Sequence, residues 1–252
     1  MTPQDRRDAI VKYVTENGAT ALSFLADHFA VSVQSIRNDV RQLTEEGLLF
    51  RRHGDVAPPP FRDNIGYDQR GIWNLSGKIH IAELAAGLLP DNCSISLGTG
   101  TTVEQVALHL RNHQNLDILT NNLHIVVPLC SWDNCNLLLA GGHVRKRDQD
   151  IIGADALDFF SRYRCDFSIV SVGGLGEDGA LYDFNDDEVH SRRGQFDHSN
   201  TRILVVDSRK FDRRALCQNG TVADFDYLIC DRKPPQAVLD CAAKGGTITL
   251  FP

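Results

Sequence analysis

The residues best suited to chemistry in this chain would hold an anion. Gly98-Thr99-Gly100-Thr101-Thr102 follows an apolar run and opens a helical pattern. Glycines let the backbone turn tightly and bare its N–H groups, and the new helix adds its own amides and dipole. Three threonine hydroxyls complete a turn that suits a phosphate monoester, although an ordinary structural turn can have the same composition. It is not a Walker A loop, since no Gly-Lys-Ser/Thr follows, and it lacks the third glycine of the dinucleotide fingerprint. Lys210 trails another apolar run and would neutralise a phosphate, or stand solvated as single lysines commonly do. Asp207 would hold sugar hydroxyls or cap a turn. Arg192 and Arg193, after Asp186-Asp187-Glu188, would close over an anion or pair with those carboxylates. Arg145-Lys146-Arg147 reads as a solvated basic loop.

A second group is suited to reading DNA. If Ile36, Val40 and Leu43 face a core, a helix near 33–46 turns Gln34, Ser35, Arg37, Asn38 and Arg41 outward. Arginine can grip guanine, glutamine and asparagine can grip adenine, and serine can meet base or phosphate. Arg51, Arg52 and His53 at a hairpin tip would form a wing against phosphates. Charge does not advertise this. Residues 1–57 carry seven Lys and Arg against eight Asp and Glu, a net of −1, and the whole chain is −7. The DNA reading rests on where charges sit, and a small helical docking or oligomerisation domain is its alternative.

The elements that must position these residues follow from periodicity. Ile10, Val11 and Val14 mark a helix over 4–17 that stops at Asn17-Gly18. Thr20 caps a second helix carrying Leu22, Leu25, Ala26 and Phe29, and Ser32 caps the third. Leu48–Val56 forms a hairpin. Periodicity vanishes over 58–74, from Pro58-Pro59-Pro60 onward, and this stretch is expected to be a linker.

From Leu75 strands and helices alternate. Strands are expected near 93–97, 116–119, 136–140, 166–172, 202–206, 227–230 and 246–250. Helices are expected near 76–89, 102–112, 122–131, 154–162 and 235–243. The fold class is α/β: a winged helix-turn-helix over 1–57, then a doubly wound, mostly parallel sheet over 75–252. Ligands bind such sheets beyond the carboxyl ends of strands. There lie Gly98–Thr102, Thr120-Asn121-Asn122, Gly141-Gly142, Gly173-Gly174 and Asp207–Lys210.

Composition excludes several classes. The apolar and charged fractions, 42% and 23%, are those of a soluble globular chain. No apolar run reaches the roughly 20 residues of a membrane span, and the polar N-terminus is not a secretory signal. Seven scattered cysteines, odd in number and without a C-x-x-C pair, argue against a disulfide framework or metal site. A cytoplasmic location is expected.

The run VSVQSIRNDVRQLTEEGLLFRRHGDVA resembles the winged helix-turn-helix of the DeoR family of bacterial repressors. It departs from the family pattern at Ser35 (Thr), Asn38 (Arg) and Asp55 (Gly). TNNLHIV, LLAGGHVRKRDQDIIG, CDFSIVSVGG, LVVDSRKF and LICD resemble the family's sensor domain, which is similar to the fold of ribose-5-phosphate isomerase. The resemblance implies phosphate or sugar recognition at Gly98, Thr99, Gly100, Thr101, Thr102, Asn121, Gly141, Gly142 and Lys210. Arg192 stands where much of the family has lysine, exchanging a point charge for a fork. It further implies a repressor on a double-stranded DNA operator, and since palindromic operators usually call for dimers a homo-oligomer, dimer or tetramer, is expected. No cofactor is implied, only a phosphorylated sugar or polyol effector, glycerol 3-phosphate among them. A sugar-phosphate isomerase is the alternative, with Asp183, Asp186, Asp187 or Glu188 as base, but it leaves the helix-turn-helix without a role. A pure oligomerisation scaffold leaves the glycine-rich strand ends unexplained.

Overall fold

Thr2 starts the first helix, α1 (Pro3–Asn17): its hydroxyl accepts from the Asp5 amide while the Asp5 carboxylate accepts from the Thr2 amide. Gly18, at φ 79°, ends it. The computed structural model describes residues 2–45, 48–52, 54–57 and 67–252. The chain divides into two units, Met1–Ile65 and Gly66–Pro252.

In the first unit, β1 (Thr20–Ala21) precedes α2 (Leu22–His28) and α3 (Val33–Glu45); β2 (Phe50–Arg52) and β3 (Asp55–Ala57) follow. The expected cap Thr20 is instead a strand residue opposite Val56 of β3. Its hydroxyl donates to the Gly18 carbonyl, so α2 begins without a side-chain cap. Ser32 does cap α3, accepting from the Ser35 amide at 3.1 Å. Ile36, Val40 and Leu43 pack with Ile10, Val14, Leu25, Leu49 and Val56 in one core. β1 extends the hairpin to a three-stranded sheet.

The expected linker over 58–74 differs at its end. Residues 58–66 lie outside the described residues, but Tyr67–Ile72 form a helix, α4, that belongs to the second unit. The tyrosine holds it there. Tyr67 stacks on His124 with ring centroids 3.6 Å apart, donates to Glu104 and accepts from Asn122.

The second unit continues with α5 (Leu75–Ala86), β4 (Ser94–Leu97), α6 (Thr101–His109), β5 (Leu116–Thr120), α7 (Leu123–Leu129) and β6 (Cys135–Leu139). A hairpin, β7 (His143–Arg145) and β8 (Asp150–Ile152), leads to α8 (Ala154–Ser161) and β9 (Cys165–Val170). Then come β10 (Gly174–Leu175), β11 (Ala180–Asp183), α9 (Asp186–Asp197), β12 (Ser199–Val206), β13 (Cys217–Thr221), β14 (Tyr227–Cys230), α10 (Gln236–Gly245) and β15 (Ile248–Leu250). Seven strands pair in the order β15-β14-β12-β9-β4-β5-β6, all parallel. Alternate residues feed two cores. Ile169, Ile203 and Val205 join one cluster, while Val170, Leu204 and Val206 join the other. β10, β11 and β13 form a small antiparallel sheet that the sequence reading did not anticipate. The chain winds outward from β4 through β5 and β6, then returns to lay β9 on the other side of β4. The order therefore reverses between β4 and β9, which is the switch point where such folds open a crevice.

Candidate functional site

A cleft of about 560 Å³, counting its open mouth, lies at that switch point. From β4 come Gly98, Thr99 and Gly100, and from β9 Ser171, Val172 and Gly173. The Gly98 amide is spent on the Ile169 carbonyl at 3.0 Å, which stitches the two strand ends together. Gly100, at φ 110°, adopts a conformation that favours glycine and turns the chain into α6. The first amides of that helix have no helical carbonyl behind them. A methyl on Gly98 would lie 3.1 Å from Gln195 Oε1 and 3.3 Å from Val170, so the close approach is also needed there.

The remaining walls are ionic. Arg70 comes from α4, Arg145 and Asp148 from the β7–β8 hairpin, Asp183 from β11, and Glu188, Ser191, Arg192 and Gln195 from α9. Arg70 pairs with Asp148. Arg145 grips Asp150 with two nitrogens, at 2.9 and 2.6 Å, and reaches Glu188 at 2.8 Å. Arg192 stands against Asp183 as an ion pair, although not in hydrogen-bond alignment. Burial pushes the Asp150 and Glu188 carboxyls up, against the pull of Arg145. Burial also works against the Arg145 charge, but Asp150, Glu188 and Asp148 outweigh it and hold the guanidinium more firmly than usual.

Lys210 is the cation in these walls whose ammonium is in direct contact with no carboxylate. Among the described residues it enters no ion pair; its ammonium donates to Ser171 Oγ at 2.9 Å, and Ser171 in turn donates to the Val205 carbonyl. Burial lowers its pKa to about 8, Asp207 opposes that shift, and Arg70, Lys78 and Arg213 reinforce it. The lining carries four cations, Arg70, Arg145, Arg192 and Lys210, against three carboxylates, Asp148, Asp183 and Glu188. The lining is thus net +1 in a chain of net −7.

Of the residues expected to bind ligand, Gly98, Thr99, Gly100, Arg192 and Lys210 line the cleft, and the others lie behind or away from it. Thr101 and Thr102 are buried in the first turn of α6, where the Thr101 hydroxyl reaches back toward the Arg70 carbonyl at 3.4 Å. Asn121 is fully buried. It donates to the Ile151 carbonyl and to Ser191 Oγ and accepts from Gln195, so it positions two wall residues. Asp207 accepts from the Arg209 amide at 3.1 Å and so caps the 3-10 turn Ser208–Lys210 that presents the lysine. Gly141 and Gly142 are exposed beyond β6 and reach no part of the cleft; Gly142, at φ 137°, packs near Ile151.

Gly173, expected at a ligand-facing strand end, lines the cleft, and residues the sequence reading missed complete the walls: Arg70, Asp148, Ser171, Ser191 and Gln195. Arg145 is a correction. Its neighbours Lys146 and Arg147 are exposed as expected, but Arg145 is drawn inward by Asp150 and Glu188. Lys78, buried behind the cleft, donates to the carbonyls of Arg70 and Trp73 and closes the end of α4. Burial lowers its pKa to about 8.

In the first unit, Gln34, Arg37, Asn38 and Arg41 lie exposed along one face of α3, at helical spacing. Gln34 donates to Asn38 at 3.3 Å. Ser35 is half-buried with its hydroxyl 2.9 Å from that of Ser32, so it serves the helix start as well. Asp39 is buried between these residues and the core and binds Arg6 of α1 at 2.7 Å, fixing the helix orientation. Arg51 is exposed on β2, Arg52 stands in register with Asp55 on β3, and His53 lies outside the described residues.

Among the described residues no group of three His, Cys, Asp or Glu is placed to hold a metal ion. Among the described residues no helix is long and apolar enough to cross a membrane.

Comparison with known proteins matches both units. The DeoR-like helix-turn-helix domain family matches residues 6–58, and the DeoR C terminal sensor domain family matches residues 73–232. The chain is similar to the glycerol-3-phosphate regulon repressor of Escherichia coli (strain K12), with 36% identity over 239 residues that cover 95% of each chain. It is also similar to the HTH-type transcriptional repressor CsqR of the same organism, with 34% identity over 238 residues, 94% of this chain and 91% of the other. Among solved structures, ribose 5-phosphate isomerase A from Methanocaldococcus jannaschii aligns over 55% of each chain at 16% identity and a TM-score of 0.40, a likeness on which nothing further rests.

Proposed function

The chain belongs to the DeoR family of transcriptional regulators, and from that premise we propose that it represses a carbohydrate or glycerol catabolic operon and is controlled by a phosphorylated sugar or polyol. Glycerol 3-phosphate is the first effector to test, because a relative that shares 36% of its residues is named for that regulon. The observation that carries the reading is Lys210, a buried cation that enters no ion pair among the described residues, in the cleft that also presents Gly98–Gly100.

In this account the phosphate meets the Lys210 ammonium and the first amides of α6, where the helix dipole favours it. Ser191, Gln195 and the carboxylates of the far wall would receive hydroxyls. The residues proposed to read DNA are Gln34, Ser35, Arg37, Asn38 and Arg41, with Arg51, Arg52 and His53 on the wing. They would contact a double-stranded operator in the cytoplasm, as a homo-oligomer whose copies sit on two half-sites. The effector acts by binding two conformations of the protein unequally, which is the only way it can shift operator affinity.

The geometry gives an isomerase little support. The carboxylates lining the cleft each face an arginine, Asp148 facing Arg70, Asp183 Arg192 and Glu188 Arg145, so none stands alone as a general base. The two readings separate in one experiment. The protein is warmed with a panel of phosphorylated sugars and polyols while product is monitored. A shift in thermal midpoint without turnover supports the sensor, and turnover of any of them refutes it.

A further inference from the structure

Helix α4 opens the second unit, and in sequence it follows the segment that arrives from the first. It is six residues long, too short to be stable by itself, so its contacts hold it. Two of those contacts lead to the cleft. The Arg70 guanidinium lines it and pairs with Asp148 of the turn between β7 and β8. The Arg70 carbonyl accepts from Lys78 and from the Thr101 hydroxyl at the start of α6. Trp73 follows α4 and is buried, with the Arg209 guanidinium 4.1 Å from its ring centroid. Of the four cations lining the cleft, Arg70 alone lies on the element that follows that incoming segment.

The pair with Asp148 is built to exchange. Arg70 reaches Asp148 through one terminal nitrogen, while its Nε is buried with no hydrogen-bond partner among the described residues. A buried donor left unmade is costly, and a phosphoryl oxygen in the cleft would satisfy it. A phosphate also carries about two negative charges against the one of a carboxylate. Asp148 would not be stranded by the exchange, because Arg145 Nε lies 3.5 Å from its other oxygen. Arg70 is close enough to Lys210 to help push the lysine's pKa down, so an anion on Lys210 attracts both.

We propose that Arg70 couples the cleft to DNA binding: a phosphoryl group held by Lys210 takes the Arg70 guanidinium from Asp148, and α4 moves with it. The inference rests on the sensor reading and adds to it the residue through which the effector acts. Lys210 supplies affinity whatever the position of α4. Arg70 makes affinity depend on that position, and a ligand that binds two conformations unequally shifts the balance between them. Because α4 is covalently continuous with the segment that precedes it, its movement is passed along the chain toward the first unit.

The test uses the full chain carrying Trp132→Phe, so that Trp73 is its only tryptophan and reports on the end of α4. Glycerol 3-phosphate, with inorganic phosphate as the minimal anion, is titrated into this parent and into Arg70→Gln and Asp148→Asn in the same background. Calorimetry reads ligand binding, Trp73 emission reads α4, and fluorescence anisotropy reads operator affinity. In the parent, both Trp73 emission and operator affinity should change as ligand binds. Arg70→Gln should bind the ligand roughly tenfold more weakly, and at saturation its operator affinities with and without ligand should differ by a factor of about 1. Asp148→Asn releases Arg70, so it should bind the ligand more tightly than the parent, and its ligand-free Trp73 emission should already be shifted toward that of the bound parent. That gain cannot come from a damaged fold. An undiminished operator response in saturated Arg70→Gln, an Asp148→Asn chain with the affinity and emission of its parent, or a Trp73 emission in the parent that ignores bound ligand would each overturn the coupling and leave the sensor reading intact. A parent that binds neither anion, or binds without any change in operator affinity, would overturn the sensor reading and the coupling with it.

Discussion

Lys210→Met should weaken effector binding and reduce its dependence on pH. In the ligand-free cleft the lysine has a pKa of about 8, because burial and neighbouring cations disfavour its charge. A bound phosphate requires the ammonium. The ligand is already a dianion above roughly pH 6 and arginines do not titrate in this range, so the part of the slope that Lys210→Met removes belongs to this lysine, beside whatever Lys78 behind the cleft adds. The protonated fraction of Lys210 makes the dissociation constant scale as 1 + 10^(pH − 8), from about 1.1 at pH 7 to about 11 at pH 9, a roughly tenfold loss. Removing the charged donor altogether should cost about 1.5–3 kcal/mol, or roughly 10- to 150-fold in affinity at pH 7. Calorimetric titration with glycerol 3-phosphate at pH 7 and pH 9 measures both effects. The stability of the ligand-free protein has the opposite slope. Between about 8 and the ordinary lysine value of 10.5 the unfolded chain binds the extra proton, so stability gains from this group as pH rises through that window. Affinity that stays flat from pH 7 to 9, or a Lys210→Met protein that binds as well as its parent, would refute the reasoning.

Three further outcomes are expected. Arg41→Ala should weaken operator binding by about 1–3 kcal/mol, read by fluorescence anisotropy, and leave the thermal midpoint unchanged because the side chain is exposed. Asp39→Ala should destabilise the first unit by about 1–3 kcal/mol in denaturant titration, since it strands Arg6 and removes the link from α1 to α3. Gly100→Ala should cost about 1–3 kcal/mol of stability, because φ 110° strains any residue with a Cβ although open space surrounds the position. It should also weaken the phosphate stabilisation measured in the same melt.

The sheet was legible in the sequence and the walls of the cleft were not, for one physical reason. The parallel strands are buried on both faces, so Cys165–Val170, Ser199–Val206 and Tyr227–Cys230 end in continuous apolar runs. Helix α9 shows no such stripe. It buries Ser191, Arg192 and Gln195, polar residues that serve the cleft, and so it read as a polar stretch rather than a helix. Helix α4 is short and follows a proline run, and what fixes Tyr67 and Arg70 are Glu104, Asn122, His124 and Asp148, distant in sequence. Arg145 sits in a basic run, and only its contact with Glu188, 43 positions away, separates it from Lys146 and Arg147. The turn at Gly98–Gly100 was legible because glycine and threonine before a helix announce it locally. Asn121 and Asp207 were recognisable as important, but their contacts place them one layer behind the surface that a ligand would meet.

The most direct test of the account is operator affinity measured with and without glycerol 3-phosphate, in the unsubstituted protein and in Lys210→Met, on DNA from upstream of the operon it controls. The account predicts salt-sensitive, sequence-selective binding in both proteins, and an affinity that the effector shifts in the first and leaves nearly unmoved in the second. An effector response undiminished by Lys210→Met would contradict it, as would the absence of any sequence preference.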